Sequence, residues 1–262
     1  MIHISSFTPK AIILIMTGIL SGFVDSIAGG GGLINLPILS LLLEPGPVAI
    51  GTNKIAGAVA AFVALLVFIR RGHMDTKKSI AFTGWIAIGS LCGSQVAPLL
   101  PTHVFKWLLA ATCPIILWVV WKKDLWVKKE LLAHSLHSPS KWSPLGTRSI
   151  ILSGFGCGFY DGVWGPGGGT FMFLSLLFFA ELPLLTALAA AKLANTCSAS
   201  VALISYAAGG FVHWTEGALL ALGITVGAFF GASHATQRAS KIVRPVLAFV
   251  VVLLLIKVLL LN

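Results

Sequence analysis

Apolar residues along this chain come in long unbroken runs. They do not alternate strand-fashion or form one-sided helical stripes. In the first part of the chain the runs lie near 9–29, 33–43, 48–69, 79–98 and 104–121. In the second they lie near 149–164, 169–181, 184–208, 216–233 and 244–261. Runs of about 18 or more apolar residues suit membrane spans, because about 20 residues of helix cross the hydrocarbon. Backbone groups in lipid must bond internally, so the runs predict helices. The ten-residue alternating strands of a transmembrane barrel are not visible. The N-terminal stretch carries one lysine and no small-residue cleavage site, so it reads as a first span rather than a removable leader.

Two segments break the pattern. The second run of each set has only about 11–13 residues, about 16–20 Å of helix, against a hydrocarbon core of about 30 Å. Each follows a glycine cluster: Gly29, Gly30, Gly31 and Gly32 in one, and Gly165, Gly167, Gly168 and Gly169 with Pro166 in the other. Glycine weakens a helix and proline removes a donor, so both clusters predict a break. Each set should therefore carry a hairpin whose tip lies inside the protein.

The two sets are copies of one design. Gly22, Phe23, Asp25, Gly29, Gly31 and Gly32 recur at a constant offset as Gly158, Phe159, Asp161, Gly165, Gly167 and Gly168. With the offset two residues longer, Pro45 falls on Pro183, Lys54 on Lys192 and Gly72 on Gly210. Acid and lysine inside apolar runs are too rare for such coincidences. The division expected is a first transmembrane repeat over 1–121, a basic cytoplasmic linker over 122–148 and a second repeat over 149–262. Asp124–Ser135 could form a short interfacial helix within that linker.

Charge relates the halves. The loop Arg70–Lys78 is strongly basic and its counterpart Gly209–Glu216 has no Lys or Arg. The next pair reverses, with Pro98–His103 uncharged and Gln237–Arg244 basic. Basic loops stay in the cytoplasm, so equivalent loops lie on opposite sides. The fold class expected is an all-α polytopic membrane protein of two inverted repeats, with Gly-broken short helices meeting near the bilayer midplane. Both termini would be external, a placement that Lys10 mildly opposes.

Composition agrees. Of 262 residues, 57% are hydrophobic and only 10% charged, against roughly 25% in soluble domains. The net charge of +10 sits between the runs, where it sets orientation, and no basic soluble domain exists to bind nucleic acid. Cys92, Cys113, Cys157 and Cys197 form no CxxC pair. The histidines form no HxxxH or HxH set, so no metal site and no cofactor is expected. No phosphate-binding loop, GxSxG or HExxH occurs, which argues against an enzyme.

What chemistry remains is suited to a small anion. A helix starting just after a glycine cluster aims backbone N–H groups and its positive end inward, and glycine lets a ligand approach closely. Paired broken segments at corresponding positions mark a transporter's site, although close glycine packing between helices is the plainer reading. Lys54 and Lys192, costly in hydrocarbon unless paired or facing a cavity, would supply charge or else snorkel to the interface. Thr52, Asn53, Asn195 and Thr196 would supply hydrogen bonds. Asp25 and Asp161, four residues before the glycines, would couple protons, pair with a lysine or stabilise the breaks.

Together, the run Gly22–Gly32, Pro37, Gly51-Thr52-Asn53-Lys54, Arg71-Gly72 and the second copy Gly165–Gly169 with Ala191–Asn195 resemble the sulfite exporter TauE/SafE family. The likeness covers nearly the whole chain, except that Ala190-Ala191 replace Thr-Asn before Lys192. It implies a multi-pass protein of a bacterial inner membrane that transports sulfur-containing anions such as sulfite, sulfoacetate or a sulfonate. Carriage would be by rocking of one half against the other, with or without protons. An anion channel and a thiol-redox membrane protein are the alternatives.

Overall fold

A computed structural model describes residues 4–43, 45–71, 76–105, parts of 107–122, 144–180 and 182–234. The described residues are helical, without strands. Helices α1 (Ile4–Ala28), α2 (Gly32–Leu42), α3 (Pro47–Arg70) and α4 (Thr76–Val96) form the first set, followed by a 3-10 turn at Ala97–Leu99. Helices α5 (Pro144–Val163), α6 (Gly168–Phe179), α7 (Leu184–Ala208) and α8 (Trp214–Ser233) form the second. Five of the helices contain stretches long and apolar enough to cross a membrane: Pro9–Ile27, Pro47–Arg70, Ser79–Leu99, Leu184–Ala208 and Trp214–Ser233. The short α2 and α6 lie where the two short runs predict them. Helix α5 begins a few residues before the predicted 149. The Asp124–Ser135 segment, most of the 122–148 linker, the Gln237–Arg244 loop and the run at 244–261 lie outside the described residues.

Local chemistry sets the boundaries. Pro47 opens α3 and Pro183 precedes α7, both with φ preset for a first turn. After α7, Gly210 takes a left-handed φ of 75°, and the Phe211 N–H returns to the Tyr206 carbonyl at 2.8 Å. That closure caps the helix end. The breaks after α1 and α5 share one device. Gly29 (φ 76°) and its counterpart Gly165 (φ 103°) turn the chain through the region that side-chain-bearing residues avoid.

Glycines also reveal how the helices run. A Cβ on Gly18 would stand 2.3 Å from the Leu220 carbonyl oxygen, and one on Gly22 would stand 2.6 Å from that of Ile224. Reciprocally, a Cβ on Gly223 or Gly227 would stand 2.0 Å from the oxygen of Ile15 or Ile19. Numbers rise together on both helices, so α1 and α8 pack in parallel, backbone against backbone. The same holds for α4 and α5, where Gly89, Gly93, Gly158 and Gly162 meet Phe155, Phe159, Ile86 and Ser90. Between α3 and α7 the order reverses. Gly51 faces Tyr206 and Gly57 faces Ala199, so these two equivalent helices are antiparallel.

The sets are thus interlocked. The first helix of each packs against the fourth of the other, and the two third helices meet at the centre. Lys10, which opposed an external N-terminus in the charge pattern, is neutralised by Glu216 at 2.7 Å where α1 and α8 begin. At the opposite ends of α3 and α8, Arg71 donates to the Ser233 carbonyl at 2.8 Å. Outward faces carry Met16, Phe62, Leu152, Ile204 and Leu222, large apolar side chains left exposed as a lipid-facing surface requires.

Candidate functional site

The two broken tips meet. Gly29 abuts Gly169 and Thr170, and Gly32 abuts Pro166. Any Cβ at Gly29 would lie 2.7 Å from the Thr170 nitrogen, so the approach depends on glycine. Tyr160 supports the second tip by donating to the Pro166 carbonyl at 2.6 Å, and Tyr206 by donating to that of Gly162 at 2.9 Å.

Both lysines reach this junction from the flanking third helices. Lys54 lies ~10 Å along α3 and Lys192 ~12 Å along the antiparallel α7, so each stands roughly a third of the way from its helix start. Neither is free. Lys54 Nζ bonds Asp161 Oδ2 at 3.1 Å and also the Asp161 carbonyl oxygen. Lys192 Nζ bonds Asp25 Oδ2 at 3.0 Å and the Asp25 carbonyl at 2.6 Å. The two ion pairs are copies of each other, and each joins one set of helices to the other. All four residues are buried. Pairing is what makes such charges tolerable away from water.

The copies differ in their supporting bonds. Ser198 donates to Asp161 Oδ2 at 2.6 Å, whereas the N–H of Gly31 donates to Asp25 Oδ1 at 3.2 Å. The residue corresponding to Ser198 in the first set is Ala60.

A small cavity of about 30 Å³ lies between the tips. That is room for about two waters. Asp25, Asp161 and Lys54 line it, together with Gly29, Gly31 and Gly32 of one tip and Gly165, Gly167 and Gly169 of the other. Asn53 and Asn195 also face it. Gly30 and Lys192 do not line it, and Gly168 packs against the Asp161 carboxylate.

The threonines point elsewhere. Thr52 donates to the Val48 carbonyl at 2.8 Å and accepts the His213 N–H at 3.0 Å, tying α3 to the start of α8. Thr196 bonds back to the Lys192 carbonyl at 2.7 Å. Tip N–H groups are partly spoken for too, since those of Leu33, Ile34, Asn35, Gly168, Thr170 and Phe171 bond carbonyls of their own turns.

Three polar residues outside the predicted set also belong to the junction. Ser21 and Asn35 line the cavity, and Ser198 holds Asp161. Asn35 was recoverable: apart from Ser40 it is the one polar side chain in α2. Ser198 was not, because it lies six residues beyond Lys192 and off its helical face. Among the described residues no His, Cys, Asp and Glu cluster could hold a metal ion. Described cysteines do not pair; Cys92 is exposed, and Cys157 contacts Ser175 at 3.4 Å.

Comparison with known families decides the lineage. The model of the family "Sulfite exporter TauE/SafE" matches residues 14–258, a span that includes both tips and both ion pairs. The chain belongs to the sulfite exporter TauE/SafE family. Among TauE/SafE relatives, a probable membrane transporter protein (ORF9) from Sinorhizobium sp. is 33% identical over 94% of this chain and 91% of its own length. The probable membrane transporter protein YfcA of Escherichia coli K12 is 31% identical over 91% of this chain and 85% of its own. One from Haemophilus influenzae is 29% identical over 89% and 88%. No solved structure matches this TauE/SafE chain. The protein is therefore a multi-pass membrane transporter of the TauE/SafE type.

Proposed function

We propose that this transporter is a secondary carrier of a small anion, of the sulfite, sulfoacetate or sulfonate type, working by alternating access. The observation that carries the reading is the pair of crossed Lys–Asp bridges bordering a small cavity between two glycine tips. An anion entering there competes with Asp161 for Lys54, which lines the cavity. Neutrality is kept if the displaced carboxylate takes up a proton, so Asp25 and Asp161 are assigned to coupling.

The antiparallel course of α3 and α7 supports an inverted repeat with the tips near the midplane. Basic character in Arg70–Lys78 supports placing that loop and the 122–148 linker on the cytoplasmic side of an inner membrane. Which bodies rock is a different matter from which residues repeat. Because α1 is stapled to α8 and α4 to α5, the rigid units are these composite pairs, sliding past each other at α3 and α7. Breaking one ion pair at a time would open the cavity to one side.

Uptake of sulfite and of sulfoacetate into proteoliposomes of purified protein, with and without a pH gradient, tests the proposal. Saturable, mutually competing uptake that an inward proton gradient accelerates is the expected result. Sealed vesicles with folded protein and no uptake of either anion would overturn it. Flux that rises linearly without saturation would favour a channel.

A further inference from the structure

The two ion pairs are copies in position but not in chemistry. Lys54 lines the cavity and Lys192 does not. A Cβ at Gly165 would stand 3.0 Å from Lys54 Nζ, so glycine there keeps the second tip clear of that ammonium. An anion between the tips therefore meets Lys54, and the carboxylate it displaces is that of Asp161.

Asp161 also has the better partner for such an exchange. Its second donor is the Ser198 hydroxyl, at 2.6 Å on Oδ2, the oxygen that Lys54 binds. Asp25 has the Gly31 N–H instead, at 3.2 Å on Oδ1. A hydroxyl can rotate to donate to a carboxylate or to accept from a carboxylic acid, whereas an N–H only donates. Oδ2 of Asp161 thus keeps a partner with or without a proton. The first set has no such hydroxyl: Ala60 stands in the place of Ser198. Ser90, which donates to the Ser198 carbonyl at 2.8 Å, has Ala228 as its counterpart.

Building on the anion-carrier reading above, we infer that of the two aspartates Asp161 takes the proton that accompanies the anion, and that Ser198 is the positioning residue that lets the anion bind first. Lys54 stays charged, keeps the Asp161 main-chain carbonyl and exchanges the carboxylate for the anion. Ser198 donates to the freed carboxylate until a proton from the aqueous side adds to Oδ2, and then accepts from the new O–H. The charged and titratable groups around Asp161 are Lys54 from α3, Tyr206 from α7, Cys157 from its own helix and Asp25 on the same cavity. Helix α4 meets the following residue, Gly162, at Ser90 and Ser94, and α6 places Gly168 on the carboxylate.

Binding of methanesulfonate and of sulfite to purified protein in nanodiscs, measured by calorimetry across a range of pH, tests this. Methanesulfonate stays a monoanion throughout, and the titration of sulfite cancels in the ratio of variant to unaltered protein. Affinity of the unaltered protein should rise as the pH falls. Without Ser198 the freed carboxylate has no donor until it is protonated, and a buried charge with no partner is costlier than one that loses one partner of two. Ser198→Ala should therefore bind about tenfold more weakly, or worse, at alkaline pH and recover towards the unaltered affinity as the pH falls. Ser90→Ala, which also loses a buried hydrogen bond, should show no such pH-dependent change. Asp161→Asn cannot take a proton, so its affinity for methanesulfonate should not vary with pH. A pH-independent affinity in the unaltered protein, no loss or an equal loss at every pH in Ser198→Ala, or a pH dependence that persists in Asp161→Asn overturns the inference while leaving the anion site intact. No binding of either anion by the unaltered protein overturns the anion site and the inference together.

Discussion

Removing Lys54 from its pair offers a test in free energy. In Lys54→Met the aspartate would stay buried without its cation. Both side chains are nearly inaccessible, at 3% and 5% exposure, so the interior value for a one-sided loss applies, about 3–5 kcal/mol. Ser198 remains to donate to Asp161, and a hydrogen bond to a charged group contributes about 1.5–3 kcal/mol. The lower end, about 3 kcal/mol, is therefore expected. Asp161→Asn alone strands the ammonium and should cost a similar amount. The double variant leaves no unpaired charge, so it should lose less than the sum, with a coupling of about 2–3 kcal/mol. Equilibrium unfolding by SDS in mixed micelles, followed by tryptophan fluorescence, reads all four corners of the cycle. A cost below about 1 kcal/mol for Lys54→Met, with additive effects in the double variant, is the behaviour of a solvated pair. That result would place Lys54 at the interface and sink the site.

Other predictions follow from the same geometry. Ser198→Ala should destabilise by about 1.5–3 kcal/mol in that unfolding assay, whereas Thr196→Ala, which loses only a bond back to its own helix, should cost less than about 1 kcal/mol. Gly223→Ala and Gly93→Ala should each cost at least about 1–3 kcal/mol, because the new Cβ would stand 2.0 and 2.2 Å from a carbonyl oxygen of the neighbouring helix. Gly84→Ala and Gly156→Ala, with nothing within 4 Å, should be neutral or stabilise by up to about 1 kcal/mol; equal effects in the two groups would refute the parallel packing. In a cysteine-free background, Gly57→Cys with Ala199→Cys should cross-link under mild oxidant and arrest uptake, since the Gly57 Cβ position lies 3.6 Å from the Ala199 Cβ, within the disulfide range. Failure to cross-link in folded protein would remove the antiparallel α3–α7 contact. Replacing Cys92 and Cys157 together by serine should leave uptake intact, as measured by initial rates; its loss would revive thiol chemistry.

Much of this architecture was legible because membrane sequences are blunt. Long apolar runs fix span positions, and Gly29 and Gly165 stand out as breaks because each opens a cluster of glycines, which together weaken a helix. Asp25 and Lys192 were legible as an anomaly, two charges where charge is expensive. Their mutual pairing was open in the sequence, since nothing along the chain says that α1 meets α7 rather than its own α3. The direction of Thr52 was hidden for a related reason. It neighbours Asn53 in sequence, but successive helix positions differ by about 100°, so one faces the cavity while the other holds His213. The crossing of α1 onto α8 was hidden as well. Its signals, Gly18 and Gly22 against Gly223 and Gly227, look like unremarkable small residues until both helices are placed.

That crossing has a cost in biogenesis. Helix α1 precedes α8 by most of the described chain, so its glycine-lined face finds its mate only when α8 has been synthesised. Until then, main chain that the finished protein covers with another helix stands bare to lipid, held only by its own ladder. Contacts between segments so far apart in sequence are slow to form because the loop between them must first be closed. The nascent chain therefore passes through a long interval as an incomplete bundle. Interrupted synthesis, or a truncation anywhere before Trp214, would leave a product whose first span is orphaned and conspicuous to the proteases that patrol membranes.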